Sequence, residues 1–130
     1  MKKTLDQSIL GLRTVLYHVP DLAKARDWYR KALKIKPYFD EPFYVGFNVG
    51  SYELGLHPGK AGPAKEDTGA VVYWGVNDVE SSAKRLIKLG AIEQKAVQEV
   101  GEGIRVATVV DPFGNVFGLI ENPHFKLPGK

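Results

Sequence analysis

Two similar stretches of sequence decide the fold. Residues 12–35 read LRTVLYHVPDLAKARDWYRKALKI, and residues 69–92 read GAVVYWGVNDVESSAKRLIKLGAI. Each begins with an apolar, β-branched run that predicts a strand, Val15–Val19 in the first stretch and Val71–Val76 in the second. Val-X-Asp-(Leu/Val) follows, and then a segment with apolar residues at helical spacing. Asp21 and Asp78 stand where a helix needs an N-cap residue. The chain is therefore an internal repeat of a strand–helix unit.

Further strand-like stretches follow each predicted helix. Gly90 marks the expected end of the second helix, and Pro112 and Gly114 predict a turn between the last two strands. The order in each half is therefore βαβββ. The predicted strands after the helices are Tyr38–Phe39, Tyr44–Val49 and Tyr52–His57 in the first half, and Ile92–Val100, Ile104–Val110 and Val116–Glu121 in the second.

The predicted fold class is α+β, with two βαβββ modules in one compact domain. The modules span residues 12–57 and 69–122, and residues 58–68, rich in proline and glycine, form the linker. A four-stranded sheet with a single helix keeps one face uncovered. We therefore expect two curved sheets around a central cleft, with the helices outside.

Composition excludes several classes of function. The 130 residues include no cysteine, which rules out disulfides, thiolate nucleophiles and cysteine metal sites. The net charge of +3 comes from basic residues scattered among acids, so we expect no nucleic-acid partner. No apolar run approaches the roughly 20 residues that span a bilayer, and Met1–Gln7 reaches Asp6 instead of the apolar core of a signal peptide. These features predict a cytoplasmic protein with no membrane partner.

Three motifs resemble those of a known family, the vicinal oxygen chelate superfamily. They are Val19–Leu22 followed by Ala25–Leu33, then Val76–Val79, and then Asp111–Asn115. The superfamily includes glyoxalase I, bleomycin-resistance proteins, fosfomycin-resistance enzymes and extradiol dioxygenases. The resemblance covers residues 12 to about 122, and its motifs consist of turn and packing residues. They specify the fold well and the chemistry poorly.

The resemblance also implies where a metal would bind. Enzymes of the superfamily hold a divalent metal through His or Glu in the first and last strands of each half. Alignment on the Asp turns and on the Gly-Leu strand endings puts these four places at Thr14, Gly55, Val71 and Gly118. They offer one hydroxyl and no imidazole or carboxylate, which are the ligands such a metal takes. We therefore predict no metal site and no cofactor.

Two histidines share the predicted cleft, and their roles stay open. His18 is in phase with Thr14, so it either contacts a ligand or bonds to backbone or water at the strand end. His57 is in phase with Gly55, so it is a ligand contact, a general base or a solvent-facing histidine. A two-histidine metal site would need a carboxylate from Glu53 or Glu121. We expect both glutamates on the face opposite the glycines, which argues against that site.

Other residues indicate what the pocket holds. Val71, Tyr73 and the two glycines predict a roomy apolar pocket, unless these side chains simply fill the space. The aromatic and acidic loop Pro37–Tyr44 either binds a cation through its rings or is an ordinary strand and turn. Trp28, Tyr29 and Trp74 are predicted to lie in the core or at an interface.

The favoured function is a glyoxalase/bleomycin-resistance-like protein that binds a small, largely apolar or aromatic molecule in its cleft without the family's metal. The alternative is a metal-dependent or histidine-assisted enzyme of lyase, isomerase or dioxygenase type with a displaced active site, so whether a reaction is catalysed stays open. By resemblance we expect a homodimer. The candidate ligand contacts are Thr14, Leu16, His18, Gly55, His57, Val71, Tyr73 and Gly118.

Overall fold

A computed structural model describes residues 12–59 and 70–125. The N-terminal segment Met1–Gln7, residue 69 and most of the predicted linker lie outside the described residues. Neither helix of the described residues is long and apolar enough to cross a membrane.

The described residues form two helices and eight strands in the predicted order. This confirms the α+β class and the two βαβββ modules with curved sheets. The strand β5 covers three residues instead of the predicted Val71–Val76, because only Tyr73–Gly75 pair with the neighbouring strand. The elements are β1 (Thr14–Val19), α1 (Leu22–Leu33), β2 (Phe39–Glu41), β3 (Tyr44–Val49), β4 (Tyr52–Pro58), β5 (Tyr73–Gly75), α2 (Val79–Lys88), β6 (Ile92–Gly101), β7 (Ile104–Val110) and β8 (Val116–Glu121).

Each sheet pairs its first strand with its last. The strand orders are β1-β4-β3-β2 and β5-β8-β7-β6. The pairs β1·β4 and β5·β8 are parallel, and the other pairs are antiparallel. A parallel pair needs a long crossover, which the helix and the two middle strands supply. The helix of each module therefore covers one side of its sheet.

Both helices begin where the Asp turns predict. The side chain of Asp21 accepts a hydrogen bond from the backbone N–H of Lys24 at 3.1 Å. Asp78 accepts from Glu80 N–H at 3.0 Å and from Ser81 N–H at 3.2 Å. Helix α2 ends at Lys88, and Gly90 follows it with a φ of +118°. Residues with a side chain rarely adopt this backbone conformation, so glycine is favoured here.

The two modules pack through the helices and the β7–β8 turn. The buried Tyr29 of α1 donates its hydroxyl to Asp111 at 2.5 Å. The Trp28 indole N–H donates to the Leu89 carbonyl at 2.8 Å. Within the second module, the ring of Trp74 stacks on that of Phe117, with ring centroids 6.1 Å apart. These contacts confirm the prediction that the three aromatic residues lie in the core or at an interface.

The Asp111–Asn115 turn is held together by the carboxylate of Asp111. This buried group accepts from Phe113 N–H at 2.9 Å and from Asn115 N–H at 2.8 Å. With the Tyr29 hydroxyl it forms a network that joins α1 of the first module to the turn of the second. Burial and the neighbouring carboxylate raise the pKa of Tyr29 well above its ordinary value.

Candidate functional site

The predicted contacts of the first module share one side of its sheet. Thr14, Leu16 and His18 are exposed, whereas the residues between them on β1 are buried. Their partners across the β1·β4 pair are Glu53, Gly55 and His57. We call this side the first open face. Helix α1 covers the opposite side, so the alternation predicted for β1 is confirmed.

The second module has an equivalent side, which we call the second open face. Val71 and Tyr73 are exposed to 40% and 42%. Tyr73 pairs with Gly118 across β5·β8, which places the glycine on the same side. The structure thus brings the predicted residues together as two sets, one in each module. The described contacts between modules come from the other, helix-covered sides.

The two glycines in these faces do not provide empty space. A Cβ atom at Gly55 would overlap the hydroxyl of Tyr44. At Gly118 it would lie 2.5 Å from the Val72 carbonyl oxygen and 2.8 Å from the Tyr73 ring. Each glycine therefore accommodates a tyrosine that lies across the sheet, and the room anticipated from the sequence is filled by aromatic side chains.

Glu53 is a member of the first open face, and the prediction that it lies on the opposite face is wrong. Residues two apart on a strand share a face, so Glu53 goes with Gly55. Its carboxylate accepts from the Thr14 hydroxyl at 2.8 Å and from the Tyr38 hydroxyl at 2.5 Å. The alternation in Glu53-Leu54-Gly55-Leu56-His57 was the signal that could have identified it.

The hydroxyls around Glu53 keep it ionised. Partial burial acts to raise the pKa of Glu53, but hydrogen bonds from Tyr38, Thr14 and Tyr44 outweigh it and lower the pKa below its usual value. The same contact with the carboxylate raises the pKa of Tyr38. Burial and Glu53 together raise the pKa of Tyr44 to about 12. At neutral pH the cluster is one carboxylate surrounded by neutral hydroxyl donors.

The two histidines lie at the far end of the same face. The ring centroids of His18 and His57 are 5.5 Å apart in an edge-to-face arrangement, and both side chains are exposed. Glu53 is four residues before His57, which along a strand is roughly 13 Å. Glu121 instead accepts from Val79 N–H at 3.0 Å at the start of α2. Neither glutamate completes a two-histidine metal site.

The described residues contain no group of three or more His, Cys, Asp or Glu side chains that could hold a metal ion. At the places that the superfamily uses, the structure has the hydroxyl of Thr14 and, beside it, the carboxylate of Glu53. Val71 and Gly118 in the other module supply no donor. This donor set does not fit a divalent cation.

An aromatic cluster borders the first open face. Phe39 lies 6.0 Å from both Phe43 and Tyr44 and 6.5 Å from Tyr38, measured between ring centroids. Tyr38 and Phe43 are each 63% exposed. The predicted aromatic loop is therefore formed largely by β2 and the turn after it, and it presents its rings to solvent.

Two cavities adjoin the start of β1. One, of about 290 Å³, is lined by Arg13, Thr14, Tyr38, Asn48, Ser51, Tyr52 and Glu53. The other, of about 630 Å³, lies between the modules and also includes Arg13 and Tyr52. We call it the junction cavity. Among its walls are Val15, Val72, Tyr73, Trp74, Val76 and Ile120.

A comparison with protein families decides the assignment that this geometry suggests. Residues 11–119 match the model of the Glyoxalase/Bleomycin resistance protein/Dioxygenase superfamily. The chain belongs to this superfamily. The resemblance inferred from the sequence is therefore confirmed. No curated protein matches the sequence significantly.

Solved structures of the superfamily share the fold. A glyoxalase-related enzyme from Fulvimarina pelagi is 14% identical, with a TM-score of 0.74 over 93% of this chain and 94% of the other. A superfamily member from Sphaerobacter thermophilus is 22% identical, with a TM-score of 0.70 over 89% and 100%. A lactoylglutathione lyase from Agrobacterium tumefaciens is 19% identical, with a TM-score of 0.68 over 92% and 100%. At these identities the likeness shows the fold alone.

Proposed function

We propose that this protein binds a small, largely apolar or aromatic molecule at the open faces of its sheets, without the metal of the superfamily's enzymes. The carrying observation is exposed apolar surface at the predicted contacts. Leu16 on β1 and Tyr73 on β5 are 44% and 42% exposed, on strands whose alternate residues are more buried. Val71, two residues before Tyr73, is 40% exposed. Apolar side chains left exposed close together mark a ligand or partner site, and Val71 and Tyr73 lie two residues apart in the second open face.

The junction cavity supports the same proposal. Its volume of about 630 Å³ lies within the range of small-molecule sites, roughly 300–1,000 Å³. Its walls are mainly apolar, with Arg13, Asn77 and Asn122 as polar groups. Tyr73 belongs both to this cavity and to the second open face. A ligand ring stacked on Tyr73 would therefore contact both surfaces.

The donor set favours binding over the enzyme alternative. The four places that the superfamily uses for its metal offer one hydroxyl, so we derive no catalytic step through a metal. The side chains of His18 and His57 are exposed, and no carboxylate of the described residues lies within reach of them. A histidine that acts as a general base needs a group that orients its ring and a substrate proton within hydrogen-bond distance. The described residues supply no such orienting group.

We further propose that two copies of the chain assemble into a homodimer in the cytoplasm. Both open faces present apolar side chains to solvent in a single chain. A second copy would cover them and enclose a ligand between two sheets. The lack of cysteine fits a reducing compartment.

A ligand screen read by thermal unfolding tests the binding proposal. A ligand present at 100 times its Kd adds about 2.7 kcal/mol of stability, which for a domain of this size raises the Tm by roughly 10 °C. Leu16→Ala and Tyr73→Ala are expected to weaken this shift. The control Ile92→Ala removes an apolar side chain on β6 that is more exposed, at 67%, and is expected to leave the shift unchanged.

Two further measurements separate the alternatives. Elemental analysis of the purified protein that finds stoichiometric metal, or a Zn²⁺ or Mn²⁺ stabilisation that a chelator reverses, would favour the enzyme and overturn the metal-free proposal. Light scattering after size exclusion is expected to give twice the chain mass of 14.4 kDa. A monomer at micromolar concentration would contradict the dimer without affecting the ligand screen.

A further inference from the structure

Two side chains of opposite charge, Glu53 and Arg13, line the cavity of about 290 Å³ at the start of β1, and they form no ion pair with each other. Within residues 12–59 and 70–125, the carboxylate of Glu53 accepts hydrogen bonds only from hydroxyl groups. The guanidinium of Arg13 donates to the neighbouring Leu12 carbonyl at 3.1 Å. Among the described residues, no ion pair includes either side chain. The cavity thus separates an unpaired anion from an unpaired cation.

The surroundings keep Glu53 negatively charged and in place. Thr14 and Tyr38 hold one carboxylate oxygen each, and Tyr44 lies across Gly55 to reach the same group. Hydroxyl donors stabilise an anion but do not neutralise it, so its charge attracts a cation. Tyr38 also lines the cavity, and an aromatic ring attracts an ammonium group to its face.

We propose that this cavity binds a small zwitterion, whose protonated amine lies at Glu53 and whose acid group lies at Arg13. A simple cation would pair with Glu53 and be repelled by Arg13. A simple anion would pair with Arg13 and be repelled by Glu53. Only a molecule with both charges pairs both side chains. Asn48 and Ser51 line the same cavity and can hydrogen-bond to either end.

This inference rests on the proposed small-molecule function and names the polar part of the ligand. The junction cavity shares Arg13 and Tyr52 with the smaller cavity. An apolar or aromatic body in the junction cavity would leave its charged end beside Arg13 and Glu53. The expected ligand class is therefore amino acids with an apolar or aromatic group, or similar zwitterions.

Four probes that share a benzene ring test the proposal by calorimetry on the full chain. Benzylamine carries the amine alone, and benzoate carries the acid alone. Phenylalanine and 4-(aminomethyl)benzoate carry both charges, close together or across the ring. At least one of the two zwitterions is expected to bind about tenfold or more tighter than both single-charge probes, because each charge-assisted hydrogen bond contributes about that factor.

Substitutions of the two charged residues test which one binds which end of the zwitterion. Glu53→Gln keeps the shape and is expected to remove the advantage of the zwitterion over benzoate. Arg13→Gln is expected to remove its advantage over benzylamine. Asp27→Asn and Lys24→Gln change exposed charges on α1 and serve as matched controls with no expected effect. Unchanged circular dichroism and Tm of the Gln variants show that the fold is intact.

The proposal is overturned if both zwitterions bind no tighter than benzylamine and benzoate, or if the Glu53 and Arg13 variants leave the preference intact. Uncharged aromatic compounds in the same assay separate the two levels of inference. If they bind and the zwitterions gain nothing, the zwitterion site is wrong while the proposed function stands. If no compound binds, the proposed function fails as well.

Discussion

Replacing Tyr29 with phenylalanine removes one hydroxyl from the contact between the two modules. In the structure this hydroxyl donates to the buried carboxylate of Asp111 at 2.5 Å. The ring is fully buried and packs against Tyr17, Trp28 and Phe117. Tyr29→Phe keeps the ring and its apolar contacts, so the change isolates the hydrogen bond.

The expected cost follows from the charge of the acceptor. A hydrogen bond to a charged group contributes about 1.5–3 kcal/mol, and a buried partner left with one donor fewer retains its desolvation penalty. We therefore expect Tyr29→Phe to lower the free energy of unfolding by about 2 kcal/mol. Asp111 keeps its bonds from Phe113 and Asn115, so the turn itself persists.

Urea unfolding followed by tryptophan fluorescence measures this cost. With a slope of about 1–3 kcal/mol per molar urea, the midpoint falls by roughly 1 M. Tyr52→Phe, at an exposed tyrosine on β4, is the control and is expected to change stability by less than about 0.5 kcal/mol. An equally small effect of Tyr29→Phe would refute the role assigned to the Tyr29–Asp111 bond.

Three further outcomes are expected. Gly118→Ala should lower the free energy of unfolding by about 2–3 kcal/mol, because its Cβ would overlap the Val72 backbone. Gly55→Ala should lower it by about 1 kcal/mol, since the Tyr44 side chain can move aside. Equal costs of the two substitutions in urea unfolding would contradict this. Burial raises the pKa of Tyr17 to about 12. Above pH 10 the unfolded chain therefore loses this proton before the folded chain does, and the free energy of unfolding falls by about 1.4 kcal/mol per pH unit. Urea midpoints measured from pH 8 to 11 should fall less steeply in Tyr17→Phe than in the unchanged protein. Asp78→Ala should cost about 1 kcal/mol through loss of the α2 cap, and an unchanged Tm would disprove the capping role.

Local sequence signals predicted most of the fold. The Asp turns located both helix starts, and the strands β3, β7 and β8 have the predicted bounds. These features depend on alternation, capping and turn residues, which act over short distances in the chain. The length of β5 was not predictable in this way, since its ends depend on which residues of β8 lie opposite.

The candidate site was less predictable, because its key contacts join residues far apart in sequence. The partners of Glu53 are Thr14, Tyr38 and Tyr44, and only strand register brings the four together. Alternation alone could have placed Glu53 beside Gly55, but not the hydroxyls around it. Similarly, Gly55 and Gly118 indicated free space in the sequence. In the structure that space is occupied by Tyr44 and Tyr73, which belong to neighbouring strands.

The pairing of the first strand of each sheet with the last has a consequence for biosynthesis. Among the strands that the structure describes, β1 has β4 as its only neighbour in its sheet, and β5 has only β8. While the ribosome is still adding the final strand of a module, its opening strand has no partner and its apolar side chains stay uncovered. Such long-range pairing slows folding and exposes the nascent chain to aggregation. Release of a chain that stops before β8 should therefore yield a first module that can close and a second that is a substrate for chaperones and proteases.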